Sequence, residues 1–301
     1  MLWIINGLIY AFFMALYTLV NQRHKFNGYV LGVWRGLGIA FIFAPFLLII
    51  PVQTDLYNWF LLILQGVLIG IYDSHIFFSS ARYGAGTTSR LLVLSVLVTT
   101  VMWWLLTPDL FVKLFNHENV FITLLLALFG FCVCYWYMMK SRITRDAFKY
   151  MMPAVFALAG MSVATKEIAM MGQDVWDNIL YYLVVATFVS GIYNSFLLLK
   201  SKHFNLELSC NMLFSPEVVR TGVYIVSFSA ALIAAKTMAM RLSPNPGYVV
   251  TLLLTAPIFV YLLSRNRTKT GDSLSEKASF AMLFFLAIIM LLVNGDLGVS
   301  D

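Results

Sequence analysis

Residues 239–263 read AMRLSPNPGYVVTLLLTAPIFVYLL, and this stretch decides the fold. An apolar helix ends at the basic residue Arg241, a short Ser-Pro-Asn-Pro-Gly turn follows, and a second apolar helix begins at once. Proline cannot donate the backbone hydrogen bond that continues a helix, so this turn predicts a tight helical hairpin. Pro257, midway along the second helix, predicts a bend there.

A weaker copy of the pattern lies earlier in the chain. Residues 81–105 read ARYGAGTTSRLLVLSVLVTTVMWWL, and a shift of 159 positions places Arg82 on Arg241 and Gly84 on Ser243. Each copy has a basic helix end, a turn of small residues and an apolar helix. Two such hairpins, one in each half of the chain, predict an internally duplicated membrane protein.

The composition excludes a soluble domain. The 301 residues are 61% hydrophobic and 11% charged, whereas soluble domains average about 25% charged residues. Ten apolar segments are each long enough to cross a hydrocarbon core of about 30 Å as a helix. They are residues 2–20, 29–51, 56–80, 87–107, 120–139, 147–165, 178–199, 218–239, 246–264 and 278–295. The first has no signal-peptide features, and we expect it to stay as the first helix.

The basic residues of the loops predict the orientation in the membrane. Loops after odd-numbered segments hold 15 Lys and Arg residues, and loops after even-numbered segments hold 4. Cytoplasmic loops carry the excess of Lys and Arg, so both termini are predicted outside. The fold class is therefore an all-α membrane protein with ten transmembrane helices. Residues 1–140 and 141–301 form two five-helix repeats, and the odd number makes the second inverted.

The hairpin motifs resemble a known family. A helix end that reads Ala-Leu-Arg-x-small-x-Ala, followed directly by an apolar helix with a central Ser/Thr-x-Pro, is similar to the ten-helix, EamA-type members of the drug/metabolite transporter superfamily. The matching segments are residues 81–86, 239–244 and 255–257, with Trp34-Arg35 as a further match. Two features depart from the family pattern. Val98 stands where the family's central proline would lie. The family usually keeps both termini in the cytoplasm, whereas the loop charges here predict both termini outside.

Ionisable residues inside a membrane are the first functional candidates, because burying them is costly. Arg35 and Asp73 are predicted at similar depth toward the cytoplasmic side, either as a structural ion pair or as a pair that opens for substrate or a proton. Lys236 either snorkels to the outer surface or holds an anion in a cavity. Asn6 and Tyr10 belong to a polar, aromatic stripe on the first helix. The candidate substrate-binding residues are Asn6, Tyr10, Trp34, Arg35, Tyr72, Asp73, Asn194 and Lys236.

Signatures of enzymes are missing from the sequence. It has no P-loop, no H-E-x-x-H motif and no G-x-S-x-G elbow, and its four histidines are scattered. We therefore expect no enzymatic activity, no cofactor, no metal site and no nucleic-acid partner.

The predicted function is secondary transport of a small polar metabolite across the bacterial cytoplasmic membrane by alternating access. A coupling proton or cation is left open. The basic residues Arg35 and Lys236 outnumber the acid Asp73, which favours a substrate with a carboxylate or phosphate. One alternative is an exporter of organic cations, held in a cage of Tyr10, Trp34 and Tyr72. Another is a lipid-handling or scaffold protein of the membrane that transports nothing.

Overall fold

A computed structural model describes most of the chain as helices. The described residues are 2–109, 112, 118–139, 144–171, 174–201, 213–243, 245–264, 281 and 284–285, and none of them lies in a strand. The helices are α1 Leu2–His24, α2 Gly28–Phe43, α3 Leu56–Tyr83, α4 Ala85–Leu92, α5 Ser95–Leu106, α6 Glu118–Met139, α7 Arg145–Met170, α8 Val175–Tyr181, α9 Thr187–Lys200, α10 Pro216–Leu242, α11 Pro246–Leu252 and α12 Ala256–Ser264.

Eight of the ten predicted segments are confirmed as helical units long and apolar enough to span a membrane. Four of them consist of consecutive pieces: α2 with the 3₁₀ helix Ala44–Ile49, α4 with α5, α8 with α9, and α11 with α12. The fifth predicted segment lies in α6, which is apolar over Phe121–Tyr137. The tenth, residues 278–295, lies outside the described residues apart from Ala281, Phe284 and Phe285. The protein is thus a multi-pass, all-α membrane protein.

Polar side chains begin several of these helices. The side-chain oxygens of Asn27, Asp55 and Asp174 each accept a hydrogen bond from the backbone N–H two residues further on. The Thr144 hydroxyl caps α7 in the same way, by accepting from the Ala147 N–H. The first N–H groups of a helix have no partner within it, so these caps fix where the chain enters each span.

Both predicted hairpins are present. Gly84, with a φ of 87°, is the single residue between α3 and α4. Only glycine adopts this conformation without a steric cost. In the second hairpin the Asn245 side chain accepts a hydrogen bond from the Gly247 N–H at 2.7 Å, which begins α11. The Lys166 ammonium donates to the Met240 carbonyl at 2.9 Å and to the Ser243 carbonyl, so α7 fastens this turn.

The helix after each hairpin breaks at an equivalent place. A 3₁₀ turn at Leu253–Thr255 separates α11 from α12, because Pro257 cannot donate to the carbonyl four residues before it. The first half has a turn at Val93 and Leu94 between α4 and α5, although it lacks the proline. There the Ser95 hydroxyl donates to the Leu92 carbonyl at 2.7 Å, a contact that bends helices.

The helices pack in pairs that join the two halves. α1 lies along α10, α3 along α7, and α2 along α9. The last pair approaches closely at glycines: a Cβ added at Gly36 would lie 2.4 Å from the backbone of Gly191 and 2.7 Å from the Thr187 carbonyl oxygen. Neither backbone can yield without moving a whole helix.

This contact generates a prediction about stability. We expect Gly36→Ala to lower the free energy of unfolding by about 1–3 kcal/mol, because the extra methyl overpacks the α2–α9 crossing. Thermal unfolding of the purified protein in detergent measures the effect. Gly86→Ala is the matched control, since a Cβ there meets nothing within 4 Å. Equal melting temperatures for the two variants would show that the crossing is not tight.

Candidate functional site

An ion pair lies in the interior of the first three helices. Arg35 of α2 and Asp73 of α3 form a salt bridge, with exposed fractions of 2% and 0%. The Tyr17 hydroxyl of α1 donates to the Asp73 Oδ1 at 2.7 Å, and the Arg35 guanidinium lies over the Tyr17 ring, 5.2 Å from its centroid. The pair is therefore formed as its sequence positions suggested, and Arg35 does not snorkel to the surface.

Lys236 is a second cation in the same interior. Only 1% of Lys236 is exposed, and α10 continues to Leu242, so the ammonium does not reach the end of its helix. It lies 5.9 Å from the centroid of the Tyr10 ring, and its Nζ has no hydrogen-bond partner among the described residues. Among the described residues, this buried ammonium has no hydrogen-bond or ion-pair partner, and the Tyr10 ring lies against it.

One face of α1 connects the two cations. Tyr10, Met14 and Tyr17 follow at spacings of four and three, so they share a face of the helix. Tyr10 lies against Lys236 and Tyr17 against the ion pair. A rise of 1.5 Å per residue puts these two tyrosines about 10 Å apart along the axis. The two cations thus lie beside different tyrosines on one face of α1.

Uncharged polar groups lie in the same interior as the charged residues. The Tyr72 hydroxyl donates to the Met14 sulfur at 3.1 Å. The Gln65 side-chain amide donates to the Tyr182 hydroxyl at 2.5 Å and to the Thr165 hydroxyl at 3.0 Å, which joins α3 to α7 and to the π-helical turn Tyr182–Ala186. The interior that holds the charged residues therefore also contains three hydroxyls and one amide.

Several buried polar atoms of this region have no hydrogen-bond partner among the described residues. They are Arg35 Nε, Asp73 Oδ2, Gln65 Oε1 and Lys236 Nζ. Buried polar atoms in folded proteins are nearly always paired, because leaving one unpaired costs free energy. Three helices, α2, α3 and α10, thus each direct at least one unpaired polar atom into the interior, as a binding site for a small polar molecule requires.

Five of the eight predicted site residues lie in this region: Tyr10, Arg35, Tyr72, Asp73 and Lys236. Three do not. Asn6 is partly buried and donates to the Leu2 carbonyl of its own helix. The Trp34 indole donates to the Leu213 carbonyl at 3.0 Å, and its ring packs on Gly222. Asn194 is buried against Gly32 at the α2–α9 contact.

The prediction omitted Tyr17, Gln65 and Tyr182, which the structure brings into the site. Tyr17 had a signal in the sequence, since it extends the stripe of Asn6 and Tyr10 at helical spacing. Gln65 had a weaker one, as an amide in the middle of an apolar segment, where polar groups face the bundle interior. Tyr182 had none, because only its hydrogen bond to Gln65, 117 positions away, places it there.

His75 lies two residues from Asp73 on α3, so the two side chains point in different directions. Its Nδ1 lies 2.7 Å from the Ile71 carbonyl oxygen, and its ring packs on Tyr150. No group of three or more His, Cys, Asp or Glu side chains suited to a metal ion occurs in the described part of the chain. Comparison with known proteins finds neither a matching family model nor a significantly similar curated protein.

The ion pair predicts a non-additive effect on stability. Removing one partner of a buried pair leaves an uncompensated charge, which costs about 3–5 kcal/mol. We expect Asp73→Asn and Arg35→Gln each to lower the free energy of unfolding by that order. The double variant should cost clearly less than the sum of the two. Thermal unfolding of the four proteins in detergent provides the double-mutant cycle, and additive effects would show that the pair contributes no coupling.

Proposed function

We propose that this protein is a secondary transporter that carries a small anionic metabolite, with a carboxylate or a phosphate, across the bacterial cytoplasmic membrane. The observation that carries the proposal is the buried ammonium of Lys236, which has no hydrogen-bond partner among the described residues. A charge buried without a partner is costly, and within a membrane it marks a substrate or ion pathway by default.

The charges of the site favour an anion. Asp73 is already engaged by Arg35 and by the Tyr17 hydroxyl. Lys236 therefore leaves the cluster with one positive charge in excess. A carboxylate or phosphate bound near Tyr10 supplies the missing counter-charge and accepts hydrogen bonds from the ammonium.

The packing of the helices supports two inverted repeats. In a chain of two five-helix repeats, each span corresponds to the span five positions before or after it. The pair of the first and eighth spans therefore corresponds to the pair of the sixth and third spans. These are the pairs α1 with α10 and α7 with α3. The α2–α9 pair, second with seventh, converts into itself. This pattern supports ten helices in two halves and membership of the drug/metabolite transporter superfamily, with a substrate site near the midplane.

Alternating access is proposed to use the helices that are already interrupted. Breaks at residues 93–94 and Leu253–Thr255 divide the spans that follow the two hairpins. Kinked helices bend more readily than regular ones because backbone hydrogen bonds are missing at the break. Because the sequence contains no P-loop, we propose that an ion gradient or substrate exchange drives the cycle.

The substrate class is tested by ligand-dependent thermal stability of the purified protein. Separate pools contain dicarboxylates, sugar phosphates and organic cations. A ligand at 100 times its Kd stabilises the native state by about 2.7 kcal/mol. We expect an anion pool to raise the melting temperature of the native protein and of Lys236→Arg, and to leave that of Lys236→Met unchanged. Lys200→Met, which removes an exposed lysine, is the control and should respond like the native protein.

The other outcomes separate the competing functions. A shift with organic cations that disappears in Asp73→Asn would favour the cation exporter, for which the unpartnered Asp73 Oδ2 and the surrounding tyrosines are the supporting observations. No shift in any pool, with the protein folded, would contradict transport of these compounds and favour the lipid-handling or scaffold function.

The proposed orientation, with both termini outside, predicts the accessibility of two loops. In a variant whose native cysteines are replaced by serine, Asp109→Cys is expected to react with a membrane-impermeant maleimide on intact cells, since it follows the fourth span. Lys200→Cys, after the seventh span, should react only when the cells are permeabilised. Both side chains are exposed, so burial does not limit the reaction. The opposite labelling pattern would place both termini in the cytoplasm.

A further inference from the structure

A cavity of about 320 Å³ lies away from the ion pair, where three helices end. Its lining residues are Lys25, Phe26, Asn27, Phe78, Ala81, Arg82 and Tyr150. We call it the corner pocket. The first three residues connect α1 to α2, the next three belong to the last turns of α3, and Tyr150 lies in the second turn of α7. Because these are the ends of membrane-spanning helices, the corner pocket lies at the boundary between bilayer and water.

The charged residues that line the corner pocket are all basic. Lys25 and Arg82 line it together, both side chains are exposed, and the seven lining residues include no carboxylate. Loop lysines and arginines are common on the cytoplasmic side of membrane proteins and by themselves need no ligand. Here two of them converge on one cavity whose walls also carry the Tyr150 ring, and this convergence distinguishes them from dispersed surface charge.

The segment that carries Lys25 is held in place. The buried Asn21 side chain accepts from the Phe26 N–H at 2.8 Å and donates to the carbonyls of Phe26 and Phe77, at 3.1 and 2.8 Å. Lys25 has a φ of 52°, which favours glycine or asparagine over lysine. Lysine therefore occupies a position whose backbone conformation favours a different residue.

The walls provide an apolar surface beneath the cations. Phe78 packs edge-on against Tyr29, with 5.0 Å between ring centroids, and Ala81 and Phe26 leave room beside it. A ligand that fits has a compact negative charge for Lys25 and Arg82 and carbon atoms for Phe26 and Phe78. A phosphate ester has this chemistry, because Arg and Lys bind phosphate oxygens strongly and the esterified carbons contact the rings.

We propose that the corner pocket binds the phosphate of an anionic phospholipid headgroup. Basic pockets between membrane helices at the cytoplasmic surface suit such headgroups, and the location at the bilayer boundary brings the lipid to the site without a soluble phase. The lipid is a structural partner here and is distinct from the transported substrate at Lys236. The inference therefore does not rest on the proposed transport function.

The test compares two pairs of charge-neutralising substitutions on the purified protein in detergent. Lys25→Gln with Arg82→Gln removes the cations of the corner pocket. Lys200→Gln with Arg220→Gln removes one lysine and one arginine, both exposed, from helix ends predicted on the same side. Melting temperatures are recorded while phosphatidylglycerol, phosphatidylcholine, glycerol phosphate or inorganic phosphate is titrated.

Phosphatidylglycerol, but not phosphatidylcholine, is expected to raise the melting temperature of the native protein and of the Lys200/Arg220 variant. The Lys25/Arg82 variant should need about tenfold more phosphatidylglycerol or more for the same shift, since each cation near a membrane surface contributes separately to binding. The single variants Lys25→Gln and Arg82→Gln are tested as well, so the comparison holds if the double variant does not fold.

Two results would overturn the proposal. An equal loss of response in both double variants would mean that general surface charge, and not the corner pocket, attracts the lipid. A response to glycerol phosphate or inorganic phosphate that is lost in the Lys25/Arg82 variant, without a response to phosphatidylglycerol, would mean that the pocket takes a soluble phosphate. Neither result depends on whether Lys236 binds an anion, so the failure of this proposal and that of the transport proposal are distinguishable.

Discussion

The salt bridge between Arg35 and Asp73 is the interaction on which the interior of this protein depends. A lipid bilayer provides no water to stabilise an isolated charge, so each of these side chains fixes the position of the other. The Tyr17 hydroxyl joins the pair, and three helices thereby share one polar centre. α1 also packs along α10, and Lys236 of α10 lies against Tyr10 of the same helix that carries Tyr17.

Lys236 differs from the other buried cations of the described chain in what surrounds it. Lys166 donates to two backbone carbonyls and closes the second hairpin, which accounts for its burial. Arg35 has Asp73. Lys236 lies against the face of the Tyr10 ring, and its ammonium has no hydrogen-bond partner among the described residues. The contacts of Lys166 and Arg35 account for their burial, whereas the described residues provide no hydrogen-bond or ion-pair partner for Lys236.

The two hairpins show how one backbone feature can arise from different chemistry. In the second half, Pro257 removes a helical hydrogen bond and a 3₁₀ turn results. In the first half, where Val98 replaces the proline, Ser95 engages the Leu92 carbonyl and the helix also breaks. Both helices are interrupted after their hairpins, although different residues cause the two breaks.

The sequence by itself determined the membrane location, the helical fold and eight spans, because lipid leaves the backbone no partner outside its own helix. It also identified Arg35, Asp73 and Lys236, since charges stand out in apolar segments. Only the tertiary structure decided which faces meet. It buried Lys236, turned Trp34 toward Leu213 and brought Tyr182 to Gln65. Such contacts join residues more than 100 positions apart, and they depend on how whole helices pack, which local patterns of residues do not encode.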